Sequence, residues 1–291
     1  PDLRVGRFGR VKRAPVAGVL VAAALFSTSG TSKALLAPQA WPPSVAAVRL
    51  LIGAIGMVAF VLLARRRGFT RLLRRPLVWL MAVGVAGYQA FFFVAVQRTG
   101  VAVGTLVALG AAPLMAGVLG WFAREGAPGW LWAAATAIGV IGLALLTGGG
   151  DVDGVGVAAA LLAAASYAIY TVFGARLARD GEDPSTVLTA AFVLGAVLLV
   201  PFLAQAQWVT TPSGLVLALW LGLAATTLAY LLFGLGLPVL QPGVIATLTL
   251  LEPVGATLWG VLLLGETLSV AGWAGCGLIV AALVLVGRQS R

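Results

Sequence analysis

The chain has 291 residues, of which 61% are hydrophobic and only 10% are charged, and its mean hydropathy is +1.05. A soluble globular domain carries about 25% charged residues, so the composition excludes a soluble globule and predicts a polytopic membrane protein. The net charge of +10 would suggest nucleic acid in a soluble chain, but the basic residues lie in short segments between apolar runs. That distribution is typical of membrane topology, and no nucleic-acid partner is expected.

The chain has one cysteine, Cys276, and no histidine. A disulfide within the chain, a thiolate metal site and histidine ligation are therefore excluded, and we predict no cofactor. An integral-membrane enzyme is disfavoured as well, because neither histidine nor an acidic cluster in a loop is present to bind a metal or act as a general base.

Apolar segments long enough to approach or complete a bilayer crossing, for which about 20 helical residues suffice, follow one another along the whole chain. The first has a basic front but no clear small-residue cleavage site, so we expect a retained helix and not a signal peptide. Ten such segments are predicted, at 16–36, 44–64, 77–96, 101–123, 129–147, 154–175, 187–203, 215–237, 244–264 and 268–287.

The basic residues fix the expected orientation of these segments. With the N-terminus inside, sixteen of the nineteen fall on one side, Arg98 falls in an outer loop, and Lys33 and Arg49 lie within spans. The positive-inside rule assigns the basic side to the cytoplasm and places both termini there. The sixteen are Arg4, Arg7, Arg10, Lys12, Arg13, Arg65, Arg66, Arg67, Arg71, Arg74, Arg75, Arg124, Arg176, Arg179, Arg288 and Arg291.

A weak internal repeat divides the segments into two sets of five. The stretch from Pro113 to Gly120 aligns with the stretch from Pro253 to Gly260, with Pro, Ala and Gly at the same spacing. Five crossings is an odd number, so the second set enters the membrane from the opposite side and the repeats are inverted. Matched helix breaks in inverted repeats, here predicted at Pro113 and Pro253, are typical of secondary transporters with a site between the halves.

The expected organisation follows from this repeat. We predict an all-α integral membrane protein with a basic N-terminal segment (1–13), a first five-helix repeat (14–147), an outer linker (148–153), a second repeat (154–287) and a short tail (288–291).

Several short motifs follow one another along the chain: Phe26-Ser27-Thr28-Ser29-Gly30, Arg49, Tyr88-Gln89-Ala90-Phe91-Phe92, Pro113 and Leu251-Glu252-Pro253. In this order they resemble the drug/metabolite transporter superfamily in its ten-helix form with two EamA-type repeats. The likeness extends from about Val16 to Gly287, and the motif that begins at Tyr88 is similar to that of YddG-type amino-acid exporters. The resemblance implies export of small metabolites from bacteria through a cavity walled by helices 1, 3, 4, 6, 8 and 9.

Polar side chains at mid-bilayer depth mark the candidate cavity, because polar groups in hydrocarbon are costly unless they are paired or face water. Single hydroxyls more often bond carbonyls of their own helix, whereas a phenol next to an amide can bind an amino acid's polar groups. The candidate substrate-binding residues are Ser27, Thr28, Tyr88, Gln89, Phe92, Tyr167, Tyr170, Thr226, Tyr230 and Glu252.

Glu252 is the sharpest candidate, since an acid in hydrocarbon costs about 2.5 to 3.5 kcal/mol on insertion scales. It suits a proton carrier or a partner for a substrate's ammonium group, and the alternative is a hydrogen-bonded acid that braces the break at Pro253. Lys33 and Arg49 are further coupling candidates. Both are placed to snorkel toward the outer surface, and either could instead receive a substrate carboxylate.

We therefore predict a secondary transporter of the inner membrane that exports amino acids, aromatic or otherwise apolar, by alternating access. Its expected partners are a small-molecule substrate and the lipid bilayer, and a monomer is compatible with the sequence. A multidrug, metabolite or lipid carrier of the same fold is the first alternative. A channel or structural membrane protein is the second, although no repeated selectivity motif is present.

Overall fold

The structure is a computed structural model that describes residues 13–125, 129–148 and 153–289. The predicted basic segment up to Lys12, the centre of the predicted linker and the last two residues lie outside the described residues. The described residues form helices and no strand. The membrane helices are α1 (Arg13–Leu36), α2 (Pro42–Leu63), α3 (Pro76–Gly100), α4 (Val103–Phe122), α5 (Trp130–Thr147), α6 (Gly154–Arg179), α7 (Pro184–Leu198), α8 (Pro212–Gly234), α9 (Pro242–Leu264) and α10 (Val270–Gln289).

Eight of these helices are long and apolar enough to cross a membrane, and the described parts of α7 and α10 are shorter apolar helices. The all-helical fold is therefore confirmed, whereas ten crossings with inverted halves remain a proposal. Between α7 and α8 the chain forms two 3₁₀ turns, Val200–Gln205 and Gln207–Thr210. The expected outer loop between α3 and α4 is reduced to a kink at Gly100, whose φ of 77° is accessible to glycine at little cost.

The two predicted halves pack against each other along α2 and α8. Residues Trp220–Leu228 of α8 form a π-helical segment, a widened turn that often occurs at functional sites. Gly53 of α2 lies against it so closely that an added Cβ would be 2.8 Å from the Thr226 Cβ and 3.4 Å from the Gly222 oxygen. Thr227 Oγ1 lies 3.0 Å from the carbonyl oxygens of both Gly53 and Gly222. Helices in hydrocarbon associate through such small-residue contacts.

At one end of the bundle, which we call the basic face, four ion pairs join the two halves. Glu182, between α6 and α7, forms ion pairs with Arg71 and Arg75 of the α2–α3 connection. The distances from the guanidinium nitrogen to the carboxylate oxygen are 2.7 and 2.9 Å. Arg179 of α6 donates to the Glu125 carboxylate at 2.6 Å and to the Leu240 carbonyl at 2.8 Å. The Glu125 side chain is only 8% exposed, so these contacts are more than loose surface pairs.

The fourth pair contains Asp183, which also caps α7 through a hydrogen bond from the Thr186 amide at 2.9 Å. Burial acts to raise the pKa of Asp183, but hydrogen bonds from Ser185 and Thr186 outweigh it and hold the pKa below its ordinary value. The carboxylate is therefore charged at neutral pH, and Arg66 lies 3.4 Å from it.

The two matched prolines behave differently. A proline cannot donate to the carbonyl four residues earlier, which is that of Thr249 for Pro253. That carbonyl accepts instead from the Glu252 amide at 2.9 Å, and α9 is interrupted there, between Leu248 and Leu251. The predicted break at Pro113 is wrong, because α4 stays helical through it. The backbone keeps helical φ and ψ at Pro113, although the proline cannot donate a hydrogen bond.

The α2–α8 contact yields a stability prediction. Replacing Gly53 by Ala should lower the melting temperature in detergent, because the new methyl group meets Thr226 and overpacking costs about 1 to 3 kcal/mol. Gly277→Ala in α10 is the matched control, since an added Cβ meets nothing within 4 Å there. Equal melting temperatures for the two variants would contradict the close packing described.

Candidate functional site

A cavity of about 320 Å³ lies between the two halves, within the range of small-molecule sites. It is lined by α1, α2, α3, α4, α6, α8 and α9, so α2 joins the six helices that were expected. Most of the sequence-predicted residues line it together: Ser27, Lys33, Arg49, Tyr88, Gln89, Phe92, Tyr167, Tyr170, Tyr230, Glu252 and Pro253.

Three predicted residues do not line the cavity. Thr28 donates to the Leu25 carbonyl at 2.8 Å and accepts from Trp220 Nε1 at 2.9 Å, so its hydroxyl is used between helices. Thr226 is buried against α2, and Pro113 lies on α4 outside the lining. The two threonines lie on helices that line the cavity, as predicted. Their side chains, however, lie on helix faces that do not line it.

The cavity is asymmetric along the bundle. On one side its lining reaches Lys33 and Pro42, at the connection between α1 and α2, which we call the opposite face. Toward the basic face it ends at Tyr170 and Tyr230. Beyond them, the fully buried ring of Phe233 closes the path.

Aromatic rings in mutual contact form the end of the cavity toward the basic face, which we call the floor. The centroid of the Tyr230 ring lies 4.9 Å from that of Phe26, 4.3 Å from Phe192 and 5.7 Å from Phe233. Tyr170 lies 6.4 Å from Tyr230. The rings come from α1, α6, α7 and α8, so the floor is assembled from both halves.

Further aromatic rings, each in contact with the next, line the wall of the cavity from the floor onward. Tyr167 contacts Tyr170 at 5.1 Å and Tyr88 at 6.2 Å between centroids, and Tyr88 stacks on Phe92 at 5.9 Å. The Tyr167 hydroxyl lies 3.3 Å from Thr249 Oγ1, at the interruption of α9. A ligand would therefore meet an apolar surface with a few polar points.

Charged groups face the cavity from three helices. Arg49 donates from Nε to Thr226 Oγ1 at 3.3 Å and from Nη2 to the Ala225 carbonyl at 3.2 Å. Glu252 accepts no hydrogen bond from the described residues through its carboxyl group. Lys33 donates to the Pro38 carbonyl at 3.1 Å, near the mouth.

Sequence reasoning missed several lining residues, of which Thr105 and Thr249 carry hydroxyl groups. Thr105 lies in the outer third of α4, where no polar neighbour in the sequence draws attention to it. Thr249 could have been found, because it is the residue whose carbonyl Pro253 leaves without its usual amide partner.

A second, mainly apolar recess of about 210 Å³ lies beside the cavity, among α2, α3 and the end of α7. Ala46, Gln89 and Phe93 line both spaces and separate them. The recess would enlarge the cavity if the Phe93 ring turned aside.

Comparison with known proteins gives consistent matches along the chain. The EamA-like transporter family matches twice, at residues 14–148 and 154–288. The uncharacterized transporter YwfM of Bacillus subtilis (strain 168) is 38% identical over 278 residues, covering 94% of this chain and 93% of that protein. The threonine/homoserine exporter RhtA of Escherichia coli (strain K12) is 32% identical over 278 residues, covering 92% and 89%. A solved crystal structure aligns with a TM-score of 0.79 and 23% identity over 95% of this chain and 97% of its own, which shows a shared fold.

The geometry of the cavity can be checked with single cysteines. Because Cys276 is the chain's one cysteine, Cys276→Ser gives a thiol-free background. In it, Ala256→Cys should react rapidly with a hydrophilic thiol reagent, since Ala256 lines the cavity. Val254→Cys, two residues earlier and only 4% exposed, should react slowly. Equal rates would contradict the assigned faces of α9.

Proposed function

The chain belongs to the EamA-like transporter family, and from this membership we propose that it is a secondary exporter of small metabolites, specifically of amino acids, that works by alternating access. The prediction of a transporter, and not an enzyme, is confirmed by the family, as is a multi-pass location in the bacterial cytoplasmic membrane. Direction, substrate and mechanism are the proposed part.

The observation that carries the proposal is the asymmetric cavity between the halves. It reaches the opposite face and is closed toward the basic face by the aromatic floor. If the basic face is cytoplasmic, as the positive-inside rule predicts, the structure corresponds to an outward-open state. The inward-open state then requires the floor rings to separate and the rim at Lys33 and Pro42 to close.

The ion pairs at the basic face fit the same cycle, since they join the halves at the end that has to open. In the proposed mechanism, Arg179 with Glu125, and Arg71 and Arg75 with Glu182, hold the cytoplasmic side closed. Substrate binding from inside occurs when these pairs are broken. The interruption of α9 beside Glu252 gives the cavity wall a flexible point.

Amino acids are the proposed substrate class because the cavity combines aromatic surface with charges of both signs. The likeness to a protein named as a threonine/homoserine exporter supports the same class. A carrier of larger apolar compounds is the second candidate, favoured by the recess behind Phe93. Glu252 is the proposed proton carrier if transport is coupled to the proton gradient.

Flux measurements test the proposal directly. Proteoliposomes that contain the purified protein should take up at least one amino acid from a panel of twenty, saturably and with counterflow. Ala256→Trp, which fills the cavity, should abolish this uptake, whereas Leu258→Trp on the lipid-exposed side of α9 should retain it. Absence of amino-acid flux, with uptake of a bulky apolar dye, would favour the second candidate.

The closed basic face yields a separate prediction. Arg179→Ala should shift the equilibrium toward the inward-open state by about 1 to 3 kcal/mol, because it releases Glu125 and the Leu240 carbonyl together. In inside-out vesicles, a cysteine at Ala256 should then react faster with an impermeant reagent. Arg176→Ala is the matched control, since Arg176 is exposed on the same helix. An unchanged labelling rate in Arg179→Ala would argue against the proposal that the contacts of Arg179 hold the cytoplasmic side closed.

A further inference from the structure

Two opposite charges share the central cavity without forming an ion pair. Arg49 comes from α2 in the first half and Glu252 from α9 in the second, and both line the cavity. Among the described residues, the ion pairs within 4.0 Å do not include these two. They nevertheless line one and the same cavity of about 320 Å³. Separated charges in an apolar cavity are costly and call for a partner between them.

Arg49 is held in place but not fully used. The guanidinium has five N–H donors. Among the described residues its two hydrogen bonds go to Thr226 and to the Ala225 carbonyl, both in the π-helical segment of α8, and both acceptors are uncharged. The group is thereby fixed in direction while keeping donors for an anion. A fixed guanidinium with free donors is suited to a carboxylate.

The carboxyl group of Glu252 is suited to a ligand group of the opposite charge. Its carboxyl group accepts no hydrogen bond from the described residues, although its backbone amide is bonded to Thr249. Three tyrosine rings, Tyr88, Tyr167 and Tyr230, line the same cavity as Glu252. A primary ammonium group offers three donors and binds aromatic faces, so it satisfies both the carboxylate and the rings.

We propose that Arg49 and Glu252 bind the carboxylate and the ammonium group of one α-amino acid, so that the cavity selects zwitterions over simple amines and simple acids. A zwitterion neutralises both groups at once. A ligand with one charge pairs with only one of these two side chains and leaves the other buried and unpaired. The cost of that unpaired charge excludes simple amines and simple acids. The side chain of the ligand then packs on the rings of Tyr88 and Phe92.

This proposal rests on the proposed function, and it assigns the carboxylate to Arg49 in preference to Lys33. Lys33 lies at the mouth, on the last turn of α1, and donates to the Pro38 carbonyl. Arg49 lies deeper, against the widened turn of α8, and faces the cavity that Glu252 also faces. The pair also joins the two halves through the ligand, which gives substrate binding a direct effect on their arrangement.

The test uses two sets of ligands, in each of which an amino acid is compared with analogues that lack either its carboxylate or its ammonium group. L-phenylalanine is compared with 2-phenylethylamine and 3-phenylpropanoate, and L-threonine with 1-aminopropan-2-ol and 3-hydroxybutanoate. Competition with amino-acid counterflow should show that at least one amino acid binds about 30-fold or more tightly than both of its truncated analogues, the factor expected when a buried charge loses its partner. Equal competition by all members of both sets would overturn the inference and leave the proposed function standing. Absence of flux for every amino acid would overturn both.

Variants assign each charge. Glu252→Gln should weaken binding of the amino acid and strengthen binding of the acid analogue, because the variant removes the charge that this analogue leaves unpaired. Arg49→Gln should likewise weaken binding of the amino acid and strengthen binding of the amine. Because Arg49 also contacts α8, Arg49→Lys is measured beside it, and melting temperatures show whether each variant folds. Arg98→Gln and Glu266→Gln, both exposed and outside the cavity, are the matched charge controls. If Lys33→Gln lost the preference for the amino acid over its amine analogue, and Arg49→Gln kept it, the assignment of the carboxylate to Arg49 would be overturned.

Discussion

The cost of placing charge in hydrocarbon is the constraint on which the rest of this structure depends. Among the residues that the structure describes, nearly all of the basic ones lie at the ends of helices or between them, where water is available. Arg49 is an exception, and like the acidic Glu252 it lies within a membrane helix and lines the cavity. A bundle that contains these two groups must keep a polar space at its centre, and that space is the candidate transport site.

The cavity is built at the contact between the halves, so packing and proposed function are linked. Gly53 lets α2 approach the widened turn of α8, and this approach brings Arg49 to the Ala225 carbonyl. On the other side, the interruption before Pro253 positions Glu252 and exposes the Thr249 hydroxyl to Tyr167. The polar points of the site are thus held by irregular helix segments within an otherwise regular bundle.

The two ends of the bundle differ in the contacts between the halves. The basic face is held by ion pairs between the halves and by aromatic rings from both of them. The opposite face has no comparable ion pair among the described residues, and the cavity reaches it at Lys33.

The sequence by itself determined the class of protein, since 61% hydrophobic residues and clustered basic residues leave few other solutions. It also determined most of the cavity, because a Tyr, Gln or Glu at mid-bilayer depth is costly wherever it is not sheltered. It could not decide the face of a threonine, as Thr28 and Thr226 show, because a hydroxyl can equally bond its own helix or a neighbour. Only the tertiary structure decided that Pro253 interrupts its helix while Pro113 does not, that Arg49 is fixed by α8, and that the basic face is the closed one. Those features depend on contacts between helices far apart in the chain, and the local pattern of residues does not encode them.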